Sequence, residues 1–144
     1  MAHFGIDYAE ILRAAGHRLT HQREIILHAV CAGAGHTTLK QTYARAAADD
    51  PTIDRSSVYR TLKLFVDLGI IVGGTRADGE TIYEIASAQP HHHLSCVHCG
   101  GEQAIGDDAF AAVFAYLQQR HGFRVTTTHV VLHGVCAQCQ RAVP

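Results

Sequence analysis

His91-His92-His93-Leu94-Ser95-Cys96-Val97-His98-Cys99-Gly100 carries two metal-binding signals side by side. It ends in a Cys-x-x-Cys turn. A second such turn, Cys136-Ala137-Gln138-Cys139, follows after 36 intervening residues. One Cys-x-x-Cys turn aims two sulfurs at a point, and two of them complete the tetrahedral thiolate shell that zinc favours. Redox dithiols are the competing reading, but such motifs sit at a helix start and usually occur once per domain. The spacing therefore predicts one structural zinc on Cys96, Cys99, Cys136 and Cys139. The interval exceeds the roughly 15–20 residues of a simple zinc ribbon. It holds a whole helix and strand, so the metal would staple the final residues onto the first strand of this half.

The histidines upstream carry the second signal. If 91–96 is extended, His91 and His93 share one face and His92 takes the other. Two imidazoles on one face are half of a metal site, and Glu84 lies close by in the sequence. Nitrogen and oxygen donors of this kind suit Fe(II), Zn(II), Mn(II) or Co(II). The competing reading is a solvated histidine run at a linker.

Working outward, the totals fit one domain or two small ones: 144 residues, 47% apolar, net charge -1 and 12 His. Between Arg13 and Lys63 there are eight Lys/Arg against four acids, locally +4, which is compatible with nucleic acid binding. No apolar signal region and no run of transmembrane length is present. The expected location is the reducing cytoplasm, with no membrane partner, where paired cysteines are metal ligands more often than disulfides. Cys31 follows the apolar run Ile25, Ile26, Leu27, Val30 and reads as a small core residue.

Local signals divide the chain. A short helix is expected over 8–15, ended by Gly16. Thr20 caps a second helix reaching about Cys31. Thr38-Leu39-Lys40-Gln41 fits a capping box opening a third, to about Ala48. A fourth runs from about Arg55 to Leu68 with Val58, Leu62, Phe65 and Val66 as its apolar stripe, and Gly69 closes it. Ile70-Ile71-Val72 and Thr81–Ile85 are strand-like around an Asp78-Gly79 turn. Helices followed by a hairpin make a winged helix-turn-helix, a DNA-binding shape. Residues 86–90 read as a linker. In 91–144, strands are expected at Leu94–Cys99, at Glu102–Ile105 and from Val125 to about His133. A helix from Ala109 to Arg120 lies between, carrying Phe110, Val113, Phe114 and Leu117. Asp107 and Asp108 favour its N-terminus. The expected class is α+β, with a winged-helix domain over 1–85, a hinge over 86–90 and an α/β metal-binding domain over 91–144.

These residues resemble the ferric uptake regulator superfamily of bacterial metal-dependent repressors. The likeness runs from about Leu12 to Cys139. It rests on Arg18-Leu19-Thr20-His21-Gln22-Arg23, on Ser57-Val58-Tyr59-Arg60-Thr61-Leu62 with Leu68-Gly69-Ile70-Ile71, on the 91–100 stretch, and on His121-Gly122-Phe123 with the second cysteine pair. The resemblance implies a homodimer, with 91–144 as its dimerisation domain. It implies structural Zn(II) on the four cysteines and a regulatory metal on His36, Glu84, His91 and His93. A third site of some members would fall on Pro90, His92, Ala111 and Thr128, of which only His92 can ligate. That site is expected to be absent, or rebuilt with neighbours such as His129. Ala104 stands where peroxide sensors carry an extra aspartate, and Ala86 where zinc sensors often carry a cysteine. By elimination the set looks most like an Fe(II) sensor, with Zn(II) or Mn(II) as alternatives.

The implied function is metal-dependent repression at a palindromic promoter. Tyr59 and Arg60 are candidates for base contact: Tyr can pack on thymine methyls and Arg can pair with guanine. The competing roles are packing for Tyr59 and a phosphate contact for Arg60. Arg18 and Arg23 would position phosphates or reach a minor groove, and Ser56 and Ser57 would help at the helix start. A metalloenzyme is disfavoured, because four thiolates leave zinc no open position. His-Glu-x-x-His and the deaminase signature are also missing.

Overall fold

The computed structural model describes residues 2, 3, 6–33, 35–86, 90–127 and 129–142, without side-chain detail at 2, 3 and 6. Ser87, Ala88 and Gln89 of the expected hinge, and Thr128, lie outside the described residues. The chain divides into two compact units, 1–73 with 81–86 and 74–80 with 87–144. No described helix is long and apolar enough to cross a membrane.

The first unit follows its capping residues. After the short pair β1 (Ala2–His3) and β2 (Ile6–Asp7), the Asp7 carboxylate accepts the N–H groups of Ala9 and Glu10 and starts α1 (Tyr8–Ala14). Thr20 caps α2 (His21–Cys31) through the Arg23 N–H. A two-residue strand, β3 (Thr37–Thr38), precedes α3 (Leu39–Asp49), where Thr38 and Gln41 form the full capping box. Asp54 caps α4 (Arg55–Asp67), and Gly69, at φ 68, turns the chain out of it. The strands β4 (Ile71–Thr75) and β5 (Thr81–Ile85) complete a sheet of order β3-β5-β4. The helices close over one apolar core that includes Tyr8, Leu12, Ile26, Val30, Val58 and Phe65.

Two apolar expectations need correction here. Val58, Thr61, Leu62 and Phe65 are buried on α4, but Val66 is exposed. At roughly 100° per residue Val66 lies about 80° round from Val58, outside the arc that Thr61 and Leu62 bound. Cys31 is only half-buried. It sits about 140° round α2 from the fully buried Ile26, so it borders the core rather than filling it. Partial burial pushes its thiol pKa up.

The second unit is a three-stranded sheet of order β7-β6-β8. The central strand β6 (His91–Cys96) pairs antiparallel with β7 (Glu102–Gly106) and parallel with β8 (Val131–Gly134). Between β7 and β8 run a single 3-10 turn, Asp107–Phe110, and α5 (Ala111–His121). Gly122, at φ 62, ends α5. The final strand is shorter than the 125–133 expected. β6 begins at His91, opposite His129 in the extended register, so residues before 129 run past the end of that neighbour. A last helix, α6 (Ala137–Ala142), was not anticipated.

Truncating Phe65 at the centre of the first unit should cost about 3–5 kcal/mol. Urea unfolding of Phe65→Ala checks this, and a loss below about 1 kcal/mol would place Phe65 outside the core.

Candidate metal and DNA-contact sites

The four cysteines meet because β6 and β8 run in parallel. Cys96 is the last residue of β6 and pairs with Gly134, which sets Cys136 two residues further along the same edge. The Val97 N–H donates to the Gly134 carbonyl at 2.9 Å and extends that pairing. Cys99 returns toward Cys96 through a turn in which Gly100, at φ 69, donates to the Cys96 carbonyl at 3.0 Å. Only the left-handed backbone that glycine tolerates makes the turn this tight. Cys139 follows one helical turn later, on α6.

The sulfurs all lie within 4.8 Å of one another, and those of Cys99 and Cys136 are 3.8 Å apart. Four thiolates on zinc at about 2.3 Å stand roughly 3.8 Å apart along each tetrahedral edge, so the spacing fits zinc. The electrostatics fit as well. The Cys136 N–H donates to the Cys96 sulfur at 3.4 Å. With the Cys99 and His98 N–H groups it pulls the Cys96 pKa down to about 5. The neighbouring sulfurs of Cys136 and Cys99 push Cys139 up to about 12. Such a cluster holds one thiolate readily and four only around a cation.

The histidine run obeys the pleat. On one face His92 is fully buried, with its ring 4.4 Å from Phe110 and 6.0 Å from Phe114. Its Nδ1 accepts the Val130 N–H at 3.0 Å, which leaves the proton on Nε2 to donate to Asp107 at 3.0 Å. Both ring nitrogens are therefore used within the fold, and His92 ties β6 to β8 and to the 3-10 turn. Of the other third-site positions, Pro90 and Ala111 have no ligand atom. Asp107, expected at the start of a helix, opens the 3-10 turn that leads into α5 and is also the His92 partner.

On the opposite face the rings of His91 and His93 are 5.0 Å apart. They are joined by His129, which is 4.7 Å from His93 and 5.8 Å from His91 between ring centres. The sequence reading named His129 only as a neighbour for a third site; its place beside His91 and His93 needed the β6–β8 register. In the first unit His36 and Glu84 come together by a similar logic. Thr37 of β3 pairs with Tyr83 of β5, which brings the preceding His36 opposite Glu84. Their Nε2 and Oε2 atoms are 3.0 Å apart, and Glu84 is buried.

The α4 surface presents Tyr59, at 52% exposure, and Arg60, with Ser56 exposed at the first turn. Ser57 is not presented with them. It is buried, its hydroxyl donates to Asp54 at 2.8 Å, and it accepts from the Arg60 guanidinium at 3.0 Å. It steadies Arg60 rather than facing outward. The hydroxyl and N–H of Ser57 also hold the Asp54 carboxyl below the usual range. In the first turn of α2 the Arg23 guanidinium donates back to the Arg18 carbonyl, and the Arg18 side chain is exposed.

Residues 14–141 match the Ferric uptake regulator family. The ferric uptake regulation protein of Synechococcus elongatus is 30% identical over 135 residues, 92% of each chain. The peroxide-responsive repressor PerR of Staphylococcus aureus is 30% identical over 90% of this chain and 86% of its own. The crystal structure of the Vibrio cholerae ferric uptake regulator superposes with a TM-score of 0.71 at 25% identity, over 90% of this chain and all of that one.

The purified chain is expected to retain one zinc through gel filtration, and Cys136→Ser to lose both the zinc and the fold of the second unit. Structural zinc is worth about 10–16 kcal/mol in small fingers. Elemental analysis with circular dichroism reads both effects; a variant that keeps stoichiometric zinc would remove Cys136 from the ligand set.

Proposed function

Because the chain belongs to the ferric uptake regulator family, whose members regulate transcription rather than catalyse, we propose that it is a metal-dependent repressor acting as a homodimer on palindromic promoter DNA in the cytoplasm. One regulatory divalent ion, Fe(II) by the ligand set and otherwise Zn(II) or Mn(II), is held by His36 and Glu84 from the first unit and His91 and His93 from the second. Structural Zn(II) occupies the four cysteines. The observation that carries this reading is the His36–Glu84 pair, a buried carboxylate beside an imidazole at 3.0 Å. Burying a carboxylate is costly unless a cation or hydrogen-bond donor faces it, and a divalent ion shared with His36 meets that need.

The ion acts by population shift. Donors from both sides of the hinge bind it together only in one arrangement of the units, so its affinity for that arrangement drives the equilibrium. The selected state sets the two α4 helices of the dimer into successive major grooves. Tyr59 and Arg60 then reach bases while Arg18 and Arg23 meet the backbone. The dimer reading draws support from the second unit. α5 buries no residue, and Val113, Tyr116, Phe123 and Leu132 are exposed large apolar side chains. Ala104, which offers no ligand atom, favours metal sensing over the peroxide response named for the Staphylococcus aureus relative.

Fluorescence anisotropy with an AT-rich palindrome tests the function. Binding is expected only with Fe(II), Zn(II) or Mn(II) added, and no binding with any of them would contradict the proposal. His91→Ala should weaken the metal-dependent binding while the circular dichroism stays that of the parent; loss of the fold would make His91 structural. Arg60→Ala should cost about 1–3 kcal/mol of specific binding. An unchanged preference for the palindrome over unrelated DNA would remove Arg60 from base readout.

A further inference from the structure

We propose that His129 is itself a ligand of the regulatory ion, so that the second unit supplies three imidazoles rather than two. This rests on the reading of His91 and His93 as ligands. The register makes His129 part of the same face. His93 pairs with Val131, and two residues earlier along the chain stand His91, on β6, and His129, just ahead of β8. The His93 N–H donates to the Val130 carbonyl at 2.8 Å, and the Val130 N–H to His92, so the strands are locked at this point. Alternation then keeps 91, 93, 129 and 131 on one side.

The distances suit an ion shared first by His93 and His129, with His91 at the edge of the set. An imidazole bound through nitrogen at about 2.0–2.1 Å puts its ring centre roughly 3.2 Å from the metal. Two ligands at adjacent corners of an octahedron or tetrahedron therefore have centres roughly 4.5–5.2 Å apart. His93–His129 at 4.7 Å and His91–His93 at 5.0 Å fall inside that range. His91–His129, at 5.8 Å, is a wider angle with His93 between them. One ring nitrogen from each of His93 and His129 already lies within 4.8 Å of the other. The other flank of β6 offers nothing comparable: His93 faces Ala104 and His91 faces Gly106 on β7. His129 thus brings a nitrogen donor where β7 has none. A nitrogen-rich set suits Fe(II), Co(II), Ni(II) or Zn(II), whereas Mn(II) prefers carboxylates.

Co(II) absorption titration of the dimer, with its purified zinc retained, tests this in four chains: the parent, His129→Ala, His129→Asp and His93→Ala. The expected result for His129→Ala is an affinity lowered about tenfold or more, a changed ligand-field spectrum, and unchanged zinc content and circular dichroism. His129→Asp should recover Co(II) binding and raise the affinity for Mn(II) relative to Co(II), a rescue that a packing role would not give. If His129→Ala matches the parent in affinity and spectrum while His93→Ala loses the site, the His129 assignment fails and the parent reading stands. If His93→Ala also matches the parent, both fail. If His129→Ala unfolds, His129→Asp decides: failure to recover a Co(II) site overturns the assignment.

Discussion

The second unit depends on the register of one central strand. β6 is paired on both edges, and its pleat sends His92 inward against Phe110 while His91 and His93 go to the other face. A slip of one residue would exchange the faces, bury the two ligand candidates and expose the residue that ties the strands together. The same strand ends at Cys96, opposite Gly134, so its pairing with β8 also delivers the second cysteine turn. Thiolates and imidazoles are therefore placed by one set of backbone hydrogen bonds, and neither group of ligands can shift without the other.

The two donor sets differ in what they demand of the chain. Four crowded sulfurs cannot all ionise without a cation: hydrogen bonds to the Cys136 and Cys99 sulfurs hold the Cys139 proton and raise its pKa to about 12. On the proposed reading the second unit needs a cation to close and keeps it as part of the fold. The imidazole and carboxylate donors are less crowded, and His36 and Glu84 already face each other at 3.0 Å. On the proposed reading that difference separates scaffold from switch. Moving the units from 1:99 to 99:1 in favour of one arrangement takes a roughly 10⁴-fold preference of the ion for it. Only donors that bind differently in the two states contribute to that preference, and the four thiolates, all within one unit, do not.

Much of this was legible in the sequence because the signals were local. Thr20, the Thr38–Gln41 box and Gly69 mark the helix ends of the first unit by short-range hydrogen bonds and backbone conformation. The two Cys-x-x-Cys turns declared a four-sulfur cluster, which the structure brings together. What was missed depended on packing or on distant pairing. Val66 and Cys31 are apolar in sequence, yet the angle each takes on its helix puts it off the buried arc. Ser57 was read with Ser56 as a helper at the helix start, and its bonds to Asp54 and Arg60 came only with the packing. His129 joins His91 and His93 only through a parallel pairing across about 38 residues, which no sequence window contains.

On the proposed reading one chain holds two chemically distinct metal sites, one of sulfur and one of nitrogen and oxygen. Zinc X-ray absorption on the purified protein, first with one equivalent per chain and then with two, tests it most directly. The first ion should show four sulfur neighbours at about 2.3 Å, and the second only nitrogen and oxygen neighbours at about 2.0–2.2 Å. Sulfur around the second ion, or nitrogen around the first, would contradict the account.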